Sequence, residues 1–159
     1  MIGHVGSLAE LQTDEVIGRV LGGGCAGHAD VREHLAAAHD AAWEATSPRL
    51  LELCRLRIAS LLGCAVESES RTPAAGVDAD LAASIASWPT DLRFDETDRA
   101  CLAFTEHYVM DVATIDDDTV AAVRVHLGDA GTSNFVSALL VVEQRIRLRL
   151  VWDRLLGDD

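Results

Sequence analysis

Residues 48–63 read PRLLELCRLRIASLLG, and the fold follows from this run. Leu50, Leu51, Leu53, Cys54, Leu56, Ile58, Leu61 and Leu62 point nearly all round the circumference of a helix with 3.6 residues per turn. A helix apolar on every side belongs in the middle of a fold, with other elements packed around it. Pro48 suits the first helical position, where its missing N–H costs little, and Ser47 before it reads as the N-cap. The expectation is a central helix over Pro48–Gly63.

Helical periodicity continues on both sides. Upstream, a helix is expected from about Asp30 to Ala45, with Val31, Leu35, Ala38 and Ala42 on one face. Before it, Ser7–Leu21 is a short amphipathic candidate ended by Gly22, Gly23 and Gly24, the clearest break in the chain. This divides the sequence into an N-terminal helical arm with a glycine loop (1–24) and a main domain (25–159). Downstream of Cys64 the run ESESRTPAAG is polar and turn-rich. Asp78 is placed to cap a short helix over Ala79–Ser87, and Asp95 with Asp98 resembles a capping arrangement for a helix from Glu96 to about Val112. A short helix over Asp117–His126 is followed by a long one beginning GTSNF, with Phe135, Leu139, Val142 and Ile146 inside and a Glu143–Arg147 pair outside. No period-two run and no hairpin dipeptide between apolar runs occurs, so the fold class is all-α.

Composition narrows the chemistry. Hydrophobic residues make up 49% of the chain but aromatics only 4%, a mix that suits close-packed helices. The formal charge is −13, and all 13 basic residues are arginine. A polyanion is repelled by such a surface, so nucleic-acid binding is disfavoured. The absence of lysine excludes Schiff-base chemistry on a lysine. The first residues lack the basic and apolar regions of a signal peptide, and the apolar run FVSALLVV falls short of the ~20 residues that span a bilayer. A soluble, cytoplasmic protein is expected, with Cys25, Cys54, Cys64 and Cys101 reduced.

Six histidines raise the question of a metal. His34 and His39 lie five apart, about 140° round a helix, so REHLAAAH is not the HExxH zinc pattern. Cys25 and His28 have a ligand-like spacing without a second half-site. These histidines read as surface or capping residues. Asp116, Asp117 and Asp118 are better explained as a helix N-terminus than as a metal cluster. Nucleophile-elbow, dinucleotide and phosphate-loop patterns are absent, and no cofactor or metal is expected.

Four residues are left as chemistry candidates: Glu52, Cys64, Glu67 and Arg71. Glu52 is either half-buried and poised for proton transfer, or paired with Arg55 along the helix; burial raises its pKa and pairing lowers it. Glu67 and Arg71 have the spacing of a helical acid-to-base pair. Structurally, Cys64 is equally a small buried hydrophobe and Glu67–Arg71 a surface ion pair.

At these residues the chain resembles the alkylhydroperoxidase-D-like, or carboxymuconolactone decarboxylase, family over about Ala29 to Gly157. The resemblance rests on PRLLELCRLRIASLLGC, AAGVDADLAASIASWPTDLRF, DETDRACLAFTEHYV and FVSALLVVEQRIRLRL. It implies a helical bundle assembled as a trimer or hexamer, with the site near a subunit boundary. In the family's redox branch the pattern is Glu-x11-Cys-x2-Cys-x3-His. There the glutamate and histidine relay protons, one cysteine attacks peroxide and the other resolves the sulfenic acid. Here the glutamate is Glu52 and the first cysteine Cys64, whereas Glu67 replaces the second cysteine and Arg71 the histidine. A disulfide between positions 64 and 67 cannot form, so the dithiol cycle cannot run. The implied activity is a thiol-dependent oxidoreductase with a single-cysteine site, acting on a hydroperoxide with an external resolving thiol. The alternatives are an acid–base lyase using Glu52 and Glu67 on a small organic acid or lactone, and a non-catalytic oligomeric binding protein.

Overall fold

The structure of the chain, a computed structural model, describes residues 28–156. The expected arm over Ser7–Leu21, the glycine loop and the Cys25–His28 spacing lie outside the described residues. What is described is all helical: α1 (His28–Ala45), α2 (Pro48–Leu62), α3 (Ala65–Glu69), α4 (Ala79–Ala83), α5 (Glu96–Met110) and α6 (Asp117–Leu156), joined by 3-10 turns at Pro73–Ala75, Ile85–Ser87 and Val112–Thr114. No strand occurs among these residues. None of their helices is long and apolar enough to cross a membrane.

The all-round apolar helix is central, as its pattern requires. Leu51, Leu53, Cys54, Ile58 and Ala59 of α2 are fully buried, and α2 packs against α3, α5 and α6. Pro48 stands in the first turn, but Ser47 makes no side-chain cap bond; its carbonyl instead accepts from Leu51 N at 2.9 Å. At the other end Gly63 adopts φ 69°, its N–H meets Ser60 O, and Cys64 N meets Ala59 O at 2.9 Å. This left-handed closure favours glycine because a Cβ there is conformationally strained even with open space around it. It turns the chain sharply enough for α3 to fold back beside α2.

α5 opens with a full capping box. Asp95 accepts from Asp98 N, Asp98 accepts from Asp95 N, and Asp98 also takes a two-pronged bond from Arg49 of α2 at 2.6 and 2.9 Å. One carboxylate therefore starts α5 and ties it to the central helix. Asp116 caps α6 by accepting from Thr119 N at 2.8 Å. The two helices expected over 117–126 and from Gly131 meet in α6 with a break of one residue, Gly128, at φ 67° and ψ 176°. Phe135, Leu139, Val142 and Ile146 face inward, each at most 1% exposed.

Several expectations needed correction. In α1 the buried residues are His39, Ala42 and Trp43, while Val31 and Ala38 are exposed. The helix lies along α6 with Ala42 inward as expected, but it also turns its largest side chain, Trp43, inward and leaves Ala38 outside. His39 is consequently a core residue, its Nε2 accepting from Trp43 Nε1 at 3.1 Å. The Ala79–Ser87 segment is an α-turn capped by Asp78 and then a separate 3-10 turn. The polar stretch after Cys64, given no element from its composition, contains α3.

Phe135 is fully buried and meets Phe104 edge-on at 6.0 Å. Phe135→Ala is expected to cost about 3–5 kcal/mol in urea unfolding, whereas Val125→Ala, at an exposed position of α6, should stay within about 0.5 kcal/mol.

Candidate functional site

Glu52 and Arg55 share one face of α2, three residues apart, and both are buried among leucines. A guanidinium out of water must satisfy five N–H groups. Arg55 does so completely. Its Nε and Nη2 form a fork on Glu52 at 2.8 and 2.9 Å. Nη1 reaches Glu67 Oε2 at 2.7 Å and Glu67 O at 2.8 Å, and Nη2 also reaches Ser70 O at 2.9 Å. The Gly63 turn brings α3 within reach, because without the reversal after α2 neither Glu67 nor Ser70 could meet a residue twelve or more positions earlier.

Glu52 is equally engaged. Besides the fork, Thr72 N donates to Oε1 at 3.0 Å and Thr72 Oγ1 to Oε2 at 2.9 Å, so each carboxylate oxygen accepts two bonds. Burial pushes the Glu52 carboxyl up, but the bonds and charge of Arg55 and the two bonds from Thr72 outweigh it, and its pKa is lowered. Of the two readings open for Glu52, pairing describes the structure. Such a carboxylate is ionised at neutral pH and has no lone pair left for a substrate proton.

Cys64 occupies the N-cap position of α3 and is 2% exposed. Its sulfur does not close a cap hydrogen bond. Burial pushes the thiol up, the Glu67 backbone amide pulls it down, the Glu67 carboxylate pushes it up again, and Arg149 and Asp153 of α6 act in opposite senses. The balance is a raised pKa, so the thiol is protonated at neutral pH. Cys54 and Cys101 are deeper still, Cys101 pushed up to about 12 by burial and the nearby Asp98.

The expected Glu67–Arg71 pair does not form. α3 ends at Glu69 and Ser70 is extended (φ −82°, ψ 155°), so positions 67 and 71 do not share a helix face. Glu67 is buried on Arg55, and Arg71 turns to the carbonyls of Ser68 and Ser70 at 2.7 and 2.6 Å. The structure thus brings Glu52 and Glu67 together through Arg55, sets Cys64 beside Glu67, and leaves Arg71 holding the α3 end. Thr72, Ser70, Arg149 and Asp153, which no motif marks, also belong to this neighbourhood. Arg55 was legible, since a cation three residues after Glu52 on an otherwise apolar helix needs a buried partner; Thr72 carries no sequence signal. Among the described residues no group of histidines, cysteines and carboxylates is arranged to hold a metal.

Compared with protein-family models, with curated proteins and with solved structures, the chain has no match.

Glu52 gives the site a pH signature. Its folded-state pKa lies below the ordinary value of 4.5, so its contribution is complete above that value and drains away as pH falls through the folded pKa. Glu52→Gln should cost about 2 kcal/mol at pH 7 and flatten the loss of stability below pH ~4.5, read as urea midpoints across the acid range. Arg55→Met leaves two buried carboxylates uncompensated and should cost about 3–5 kcal/mol.

Proposed function

We propose that this chain is a divergent member of the alkylhydroperoxidase-D-like, or carboxymuconolactone decarboxylase, family. In this reading it keeps the helical bundle as an oligomeric binding protein, its former redox site closed by the Glu52–Arg55–Glu67 ion triad. The observation that carries the reading is the saturation of Arg55 and Glu52: the relay glutamate of the redox pattern is spent on structure. The protonated, buried Cys64 supports it, since the thiolate is the nucleophile in peroxide reduction. An acid–base lyase is less well supported, because Glu52 has no lone pair to offer and Glu67 is held by Arg55.

Assembly is part of the proposal. Leu140, Val151 and Leu155 of α6 are about half or more exposed and recur on one face of the helix. Covering them against another copy removes apolar area at about 25 cal/mol per Å². The family resemblance implies a trimer or hexamer.

A second reading keeps the thiol. The Glu67 amide and Arg149 both favour a thiolate at Cys64, and a single-cysteine oxidoreductase with an external resolving thiol uses that sulfur alone. One experiment separates the two. Purified protein is treated with an organic hydroperoxide under a sulfenic-acid trap at neutral pH, alongside Cys64→Ala. The binding-protein reading expects trapping at Cys64 no faster than at free cysteine. Fast trapping that disappears in Cys64→Ala replaces it with the oxidoreductase reading. Sedimentation of a monomer at micromolar concentration would remove the assembly from the proposal.

A further inference from the structure

A cavity of about 200 Å³ opens between α1 and α6, away from Cys64 and the ion triad. Leu35 and Ala38 of α1 line one side of it, and Leu140, Val141 and Leu148 of α6 the other. His39, Gln144 and Arg145 also border it, yet its surface is apolar apart from a few atoms. The two buried polar residues among them are engaged: His39 is bonded to Trp43, and Arg145 has a partner of its own. What the cavity presents is hydrocarbon.

Water fits such a space badly. A water molecule needs about two to four polar partners, and these walls offer few. Displacing poorly held water by an apolar group gains affinity. A charged ligand would instead leave its water for a wall that returns no hydrogen bond, a cost its apolar contacts do not recover. The occupant these walls select is therefore uncharged and apolar. Size narrows it further: a cavity of about 150 Å³ holds benzene, so this one takes a substituted benzene ring or an alkyl group of similar bulk. A second protein surface suits it less well. Eight described residues from two helices line the cavity, against roughly 20–30 a side in a stable protein–protein interface. Leu140 also lies on the face assigned above to assembly, and a copy that reached into the cavity would compete with the ligand.

We infer that the cavity between α1 and α6 binds one small uncharged molecule with an apolar body, about the size of a substituted benzene, held by Leu35, Leu140, Val141 and Leu148 and by no charged group. The site is separate from Cys64 and the ion triad, and stands whether or not the chain reduces peroxides.

Toluene and benzoate, titrated separately into the full chain and followed by calorimetry, test the inference. Toluene is expected to bind saturably, one per chain, with a Kd of about 0.1–1 mM from the apolar area that one ring buries. Benzoate, the same ring with a carboxylate, should bind at least about tenfold more weakly. Ala38 and Gln144 are exposed residues bordering the cavity, one on each helix, so tryptophan at either position intrudes on it while the fold is kept. Ala38→Trp and Gln144→Trp should each weaken toluene about tenfold or more; if one of them fails to fold, the other decides. Benzoate binding as tightly as toluene overturns the uncharged class. Toluene binding unchanged in both tryptophan variants overturns the location. Toluene affinity that falls as protein concentration rises gives the cavity to a second copy and overturns the ligand. Absence of saturable toluene binding overturns the site, and gives the cavity to the N-terminal segment if trypsin then cuts after Arg19 slowly in the wild-type chain and fast in Ala38→Trp.

Discussion

Arg55 is a cation placed in the most apolar helix of the protein, and much of the surrounding architecture is what its burial requires. Removing a guanidinium from water costs several kcal/mol unless each N–H finds an acceptor with good geometry. Two of its bonds come from its own helix through Glu52, and three come from the Glu67 side chain and the carbonyls of Glu67 and Ser70. Those three exist only if the chain reverses after α2 and returns within reach. The Gly63 turn, the short α3 and the extended Ser70 are the local conformations that make this possible. Such a network is not evidence of high stability, since an apolar replacement of equal shape often serves as well. It restricts the alternatives: any other path for residues 64–72 leaves buried charge without a partner.

The same device recurs elsewhere. With no lysine available, the chain uses the planar fork of arginine to gather backbone carbonyls that no helix satisfies. Arg99 holds the carbonyls of Trp88, Pro89 and Asp91, fastening the irregular linker between α4 and α5 to the start of α5. Arg71 holds those of Ser68 and Ser70 at the end of α3. Loop carbonyls that water would otherwise solvate are tied to the helical frame, so short segments with little apolar content keep definite positions.

This economy bears on chemistry. A dithiol site needs a sulfur that can ionise and a carboxylate free to exchange protons with it. Here Glu52 accepts four bonds, and the Cys64 sulfur sits between opposing charges with burial tipping it toward the thiol. Glu67 has a structural part in this arrangement. It supplies the second anion for Arg55, and so commits the neighbourhood to holding α2, α3 and the Thr72 segment together.

The sequence by itself determined the helical class, the central place of residues 48–62, the α5 capping box and the inward face of α6. Each is a local or periodic property: a repeat near 3.6, a side-chain oxygen three residues from the amide it meets, a proline at a helix start. It also contained both possibilities for Glu52, because a carboxylate and a guanidinium on one helix can pair or stay apart according to what surrounds them. Tertiary structure decided what depends on distant neighbours. The rotation of α1, with His39 and Trp43 in the core, follows from the groove that α6 offers. The partner of Glu67 is Arg55 rather than Arg71 because a helix of five residues ends before a fourth-neighbour pair can form. The protonation of Cys64 reflects burial first and then a balance among Glu67, Arg149 and Asp153, two of which lie some eighty-five residues or more away and reach the sulfur only when α6 packs against the end of α2. Burial and Coulomb interactions depend on distance in space, and that distance is set only when the helices pack.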